Sequence, residues 1–256
     1  MRHIRAIAIL IFIFLLNSCA TKKEILYVQD FEKIDDSEIV YGSTTIQPND
    51  ILRITVGAFI PESALPYNRN SGQQNMGGGN VELLQLDGYL VTINNTIEFP
   101  VLGTISTQGK TVLQMQDYLQ DRLINGGHLK NPNVIVRILN AKVTILGEVN
   151  APGTYIFTEQ NINILQALGY ASDLTINGKR EDVKIIREVD GNRRIATIDL
   201  TDTDFINSEF YQVKPNDLII VNQNQPKVKT AGYIGNLGTL LSVFTIILST
   251  TILITR

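Results

Sequence analysis

Hydrophobic and polar positions alternate in short runs through the middle of the chain, and turn residues separate the runs. Gln47-Pro48-Asn49-Asp50 is a turn signal, and Ile51–Val56 alternates after it as a strand does. Strand patterns return at Tyr89–Ile93 and Thr96–Leu102, with a turn at Asn94-Asn95 between them. Val112, Met115, Leu119 and Leu123 fall at helical spacing within Thr111–Leu123, and Gly126-Gly127 ends that helix. Asn131-Pro132-Asn133 then turns the chain into a strand over Val134–Leu139.

A second series follows. Val143–Val149 reads as a strand, Asn150-Ala151-Pro152-Gly153 as a turn and Thr154–Phe157 as the return. Ile162–Leu168 is a short helix with Asn161 or Asn163 available as its cap. Val183–Val189 and Arg194–Leu200 pair as a hairpin across Asp190-Gly191-Asn192. Lys214-Pro215-Asn216-Asp217 leads into a last strand, Leu218–Asn222. Pro-Asn-Asp before an apolar strand thus occurs at 48–50 and again at 215–217, which suggests two small α+β units, although the tripeptide is also a generic turn. The loop between Pro66 and Asn80 contains Gly77-Gly78-Gly79, but neither Lys-Ser/Thr nor a helix start follows, so it reads as a surface loop and not a phosphate cradle.

The two ends break this alternation. Arg2, His3 and Arg5 precede an uncharged apolar run, Ala6–Leu16, that is too short to span a bilayer. That pattern is a secretory signal over residues 1–18. Leu16-Asn17-Ser18-Cys19 reads as a lipobox with Cys19 as the lipidated residue, and several acyl chains would anchor it stably in membrane lipid. By analogy with bacterial lipoproteins, Ala20 in place of Asp favours the outer membrane. Residues 19–40, polar and acidic, read as a tether.

From Ala231 to Thr255 no residue is charged, and Gly235–Ile254 would make a helix of about 30 Å. Wound at 100° per residue, it gathers Thr239, Ser242, Thr245 and Ser249 on one half and most leucines and isoleucines on the other. Ile246 and Leu253 interrupt the polar side. Two readings follow: a plain anchor whose hydroxyls bond back to their own helix, or a ring of helices with hydroxyls facing a water-filled lumen.

Composition narrows the chemistry. The chain has 256 residues, 44% hydrophobic and 18% charged, which suits one or two domains, and its net charge of −3 gives a nucleic-acid partner no electrostatic support. One cysteine excludes an internal disulfide and a Cys-cluster zinc site. His3 and His128 are the only histidines, so no catalytic residue, metal site or cofactor is expected. A hydrolase would need two acids across a cleft. Glu181-Asp182 and Asp202/Asp204 sit beside turns, where acids are common for solvation.

Taken together, these residues resemble the outer-membrane polysaccharide export lipoproteins, the Wza-type family. The resemblance rests on Ile46-Gln47-Pro48-Asn49-Asp50-Ile51-Leu52, on Gly88-Tyr89-Leu90-Val91, and above all on Ile97-Glu98-Phe99-Pro100-Val101-Leu102-Gly103-Thr104-Ile105. Gly109-Lys110-Thr111 and Asn131-Pro132-Asn133-Val134 complete the first domain. Val143–Tyr155, Leu165–Leu168, Ile185-Ile186-Arg187 and Lys214–Val221 carry the second. Both Pro-Asn-Asp turns depart from the family's Pro-Gly-Asp, and Gly169-Tyr170-Ala171 departs from its Ala-Gly-Gly.

The resemblance implies an α+β chain: a polysaccharide export domain over 41–140, a soluble-ligand-binding β-grasp (SLBB) domain over 141–225 and a C-terminal transmembrane helix over 231–255. It further implies a homo-oligomeric ring, often an octamer, whose helices form an outer-membrane pore for polysaccharide cargo. Thr239, Ser242, Thr245 and Ser249 would line that pore, and an inner-membrane polysaccharide co-polymerase with tyrosine kinase activity would dock below. The absence of tryptophan fits a conduit that binds its cargo weakly. A non-channel glycan-binding or scaffold lipoprotein is the alternative.

Overall fold

The computed structural model describes residues 25–30, 32, 42, 44–69, 87–189, 191–224 and 237–254. The expected signal at 1–18, Cys19, much of the 19–40 tether and Asn75–Asn80 lie outside the described residues.

The first unit grows from the turn at 47–50. Strand β1 (Ile51–Gly57) buries Leu52, Ile54 and Val56 on one face and exposes its alternate residues, as a strand with one wet side must. It sits between β2 (Tyr89–Leu90) and β5 (Asn133–Ile138), antiparallel to both. One helical turn, α1 (Pro61–Ala64), follows β1.

The expected single strand over Thr96–Leu102 is a hairpin instead. β3 (Thr96–Phe99) turns at 100–102 and returns as β4 (Gly103–Ser106). Val101 takes φ of +65°, a conformation that β-branched residues rarely adopt, so its hydrophobicity disguises the turn. Helix α2 (Val112–Asn125) opens on a capping box: Thr111 Oγ1 accepts from Gln114 N at 3.2 Å while Gln114 Oε1 accepts from Thr111 N at 3.0 Å. Its Met115, Leu119 and Leu123 point into a core shared with Ile97, Phe99, Ile105, Val134 and Val136.

The second unit is a five-stranded mixed sheet in the order β10-β9-β12-β6-β7. Its strands are β6 (Lys142–Gly147), β7 (Gly153–Ile156), β9 (Gly178–Val189), β10 (Asn192–Ile198) and β12 (Leu218–Gln223). β12 lies parallel to β6 at the centre, and every other pairing is antiparallel. β8 (Ile162–Asn163) pairs with β11 (Gln212–Val213). Helix α3 (Ile164–Tyr170) packs Ile164, Ala167 and Leu168 on Val143, Ile145, Val183 and Ile185. Its cap is Asn163, in a second capping box with Gln166.

β9 starts at Gly178, five residues before the expected Val183. Its polar opening, Lys179–Asp182, hides that start from an apolar-pattern reading. Val189 pairs with Asn192, so two residues and not three separate β9 from β10.

Residues 25–30 dock on this second unit. Val28 is buried in its core, Val28 N donates to Leu200 O at 2.9 Å and Gln29 N to Thr201 O at 2.8 Å. Tyr27 donates to Asp173, and the Arg180 guanidinium lies 5.0 Å from the Tyr27 ring centroid.

The last described element is helix α4 (Leu237–Ile254). Its 18 residues rise about 27 Å, a little under a hydrocarbon core of roughly 30 Å. Among the described residues no helix is long and apolar enough to cross a membrane.

Candidate functional site

The expected pore-lining residues lie on α4, and a second polar cluster lies at the joint between the two units. Along α4, Ser242, Thr245 and Ser249 are exposed. The Thr239 side chain lies outside the described residues. Ser242 Oγ donates to Gly238 O at 2.8 Å, Thr245 Oγ1 donates to Ser242 O at 2.8 Å, and Thr250 Oγ1 donates to Ile246 O. A hydroxyl that spends its proton on its own helix still offers lone pairs outward. Ser242 and Thr245 therefore present acceptors on this face. Ile246 and Leu253 are 66% and 81% exposed and alternate with these hydroxyls, so the polar side is a broken stripe.

The joint is built from the two Pro-Asn-Asp turns. Asn49 has φ of +71° and Asn216 of +68°, so asparagine does in both what glycine does in such turns. The backbone closes identically, Asp50 N to Gln47 O and Asp217 N to Lys214 O, each at 3.1 Å. Each carboxylate also accepts from the backbone N–H three residues earlier at 2.8 Å.

Arg187 fills the space beside the second turn. Its Nη2 lies 2.7 Å from Asp217 Oδ2, its Nε donates to Asp217 Oδ1 at 2.9 Å, and it also donates to Glu209 O and Gln212 O. The guanidinium lies over the Phe210 ring, 4.7 Å from the centroid. Burial is compensated because nearly every donor is used. The sequence alone did not single out this pair, and the recurrence of Asp three residues after Gln47 and Lys214 was the available signal.

Asn140, between β5 and β6, clamps the first turn. Its Oδ1 accepts from Ile51 N at 2.8 Å and its Nδ2 donates to Asn49 O at 2.9 Å. Gln47 Nε2 donates across the joint to Glu188 O at 3.3 Å, and Ile138 packs against both cores.

Three of the four carboxylates weighed for hydrolysis, Glu181, Asp182 and Asp202, have structural partners. Glu181 lies 3.3 Å from Lys179, Asp182 accepts from Asn222 at 3.0 Å, and Asp202 accepts from the Asp204 backbone at 3.1 Å. Among the described residues, no three His, Cys, Asp or Glu side chains come together as metal ligands. His128 rests edge-on to Tyr67 at 5.8 Å, at the rim of an open groove with Tyr118, Asp121, Arg122 and Asn125.

Comparison with known proteins gives this arrangement its context. Residues 40–139 match the model of the polysaccharide biosynthesis/export protein family. The chain is 29% identical over 178 residues to the capsule polysaccharide export outer membrane protein CtrA of Neisseria meningitidis serogroup A, covering 67% of this chain and 43% of that protein. It is 28% identical over 106 residues to the EPS I polysaccharide export outer membrane protein EpsA of Ralstonia nicotianae, covering 40% of this chain and 27% of that protein. The chain thus spans less than half the length of these relatives. The stretch that matches the polysaccharide biosynthesis/export family model, 40–139, is the unit built on β1–β5 and α2.

Proposed function

We propose that this chain is a subunit of an outer-membrane conduit for capsular or extracellular polysaccharide, lipid-anchored at Cys19 and acting without catalysis. The observation that carries the reading is the export-family domain at 40–139, supported by relatives named for polysaccharide export at the outer membrane. The second unit, with its parallel β6–β12 centre and packed α3, suits an SLBB-type β-grasp domain. The uncharged stretch 231–255 extends beyond α4 at both ends, which supports a membrane segment longer than the described helix. In a ring of such helices, Thr239, Ser242, Thr245 and Ser249 line the exit, and their acceptors exchange water for sugar hydroxyls at little net gain. The soluble units stand in the periplasm, where an inner-membrane co-polymerase docks.

The test is Ser242→Leu with Thr245→Leu in the full-length chain. Surface polysaccharide should fall while the protein still fractionates with the outer membrane. Unchanged surface polysaccharide sinks the pore-lining assignment.

One observation favours a second reading, a static glycan-binding or scaffold lipoprotein with a plain anchor. The hydroxyls of Ser242, Thr245 and Thr250 are already bonded within α4, as in a helix that needs no lumen. Electron microscopy of the detergent-solubilised full chain separates the two. A closed ring with an axial channel supports export, and monomers support the scaffold.

A further inference from the structure

The five-stranded sheet ends on two strands, β10 and β7, that have no further partner among the described residues. Such edges present unpaired N–H and C=O groups and are templates for another chain. Which residues do so follows from the ladders. Val189 and Asn192 flank a two-residue turn and form a hydrogen-bonded pair, so alternation leaves the backbone groups of Arg193, Ile195 and Thr197 facing outward from β10. At the other edge, Phe157 N donates to Ala141 O at 3.0 Å, so alternation leaves those of Thr154 and Ile156 facing outward from β7.

Three further properties of these edges match. First, the ladders run β10 antiparallel to β9, β9 antiparallel to β12, β12 parallel to β6 and β6 antiparallel to β7, so β10 and β7 run in opposite directions. Two copies set side by side in one orientation therefore bring β10 of one antiparallel to β7 of the next. Second, the outward-facing residues put their side chains on one face of the sheet: Ile195 pairs with Ile186, Ile186 with Leu218, Leu218 with Thr144 and Thr144 with Thr154, with Ile156 two residues on. A joined sheet keeps this face continuous. Third, each edge leaves an isoleucine in water, with Ile195 64% and Ile156 53% exposed. The guarding charges on β10 are already engaged, Arg193 with Glu188 at 2.7 Å and Arg194 with Glu209 at 3.4 Å.

We infer that β10 of one copy pairs antiparallel with β7 of the next, Ile195 opposite Ile156 and Thr197 opposite Thr154, so that neighbouring sheets join. The partner is a second copy of this chain. The contact is head-to-tail, with different strands on its two sides, and it closes into a ring when the rotation permits. Isoleucine against isoleucine and threonine against threonine are favourable cross-strand pairs. The inference rests on the ring proposed above and names the surface that would build it.

The test is Ile195→Cys with Ile156→Cys in the full-length chain, oxidised in the envelope. Directly opposed strand residues lie within disulfide reach. A reducible ladder of covalent oligomers is expected from the double variant and from neither single variant. Thr197→Cys with Ile156→Cys, two residues out of register, should cross-link far less. Imaging of the same solubilised protein separates the failures. Rings without a ladder overturn the edge pairing and leave the conduit standing, whereas neither rings nor a ladder overturns both. Ile195→Pro supplies a second readout, because it removes an outward N–H and no bond of the β9–β10 ladder. It should release monomers with the melting transition retained, and intact Ile195→Pro rings overturn the inference.

Discussion

Asp50 and Asp217 hold the same place in two copies of one turn, yet among the described residues only Asp217 meets a guanidinium. Asp50 is buried and accepts from the Gln47 N–H, and burial raises its pKa from the ordinary 3.8 to about 6. The folded protein therefore binds this proton more tightly than the unfolded chain does. The contribution of Asp50 to stability is fully present below about pH 4 and is lost as pH rises through about 6. A shift of about two units corresponds to ~3 kcal/mol at most. Asp50→Asn keeps the acceptor for Gln47 and removes the titration. The melting temperature of the first unit should fall between pH 4 and 6.5 in the parent and stay level in the variant.

Arg187→Met leaves the Asp217 carboxylate buried without its cation. Removing one member of a buried pair costs roughly 3–5 kcal/mol, and urea unfolding followed in the second unit should show that loss. Adding Asp217→Asn should recover most of it, since the amide oxygen still accepts from Lys214 N and no charge is stranded.

Gly147 has φ of +95°, and a Cβ there would stand 2.0 Å from Val221 O, a backbone atom of the central β12. The strand cannot yield without opening the parallel β6–β12 ladder. Gly147→Ala should destabilise the second unit by more than the ~1–3 kcal/mol of backbone strain alone. A thermal melt that moved by less than a few degrees would contradict this.

Val28→Asp places a charge in the core that residues 25–30 help to close. The Val28 and Gln29 amides, bonded to Leu200 O and Thr201 O, should lose hydrogen-exchange protection, while Ile145 and Ile185 keep theirs. Tyr27→Phe should have a milder effect, because it removes the bond to Asp173 and leaves the ring beneath Arg180.

Local signals made most of the fold legible in the sequence. Met115, Leu119 and Leu123 at helical spacing act within a few residues and form the helix that their pattern indicates, and of the two caps open for α3, Asn161 and Asn163, the structure uses Asn163. The β3–β4 turn was hidden because Val101 is apolar at positive φ, and the first residues of strand β9 because Lys179–Asp182 is polar. The docking of residues 25–30 joins positions up to 173 apart, and Asn140 clamps a turn 91 residues away. No window along the sequence contains both members of such a pair. Of the hydroxyl stripe on α4, the spacing was readable, but the turning of those hydroxyls onto their own carbonyls was not.

The docking of residues 25–30 also changes which part of the molecule frames the rest. The second unit is made from two separate stretches, 25–30 and 141–224, and the export domain is threaded between them. An insert held at both ends swings on two pins, where a domain at the end of a leash swings on one. The export domain leaves into the second unit through 139–141, and the chain ahead of it is held there by the bonds of Val28 and Gln29 to Leu200 and Thr201. Shortening the chain to begin at residue 40 would pull out one pin and expose the groove that Val28 fills.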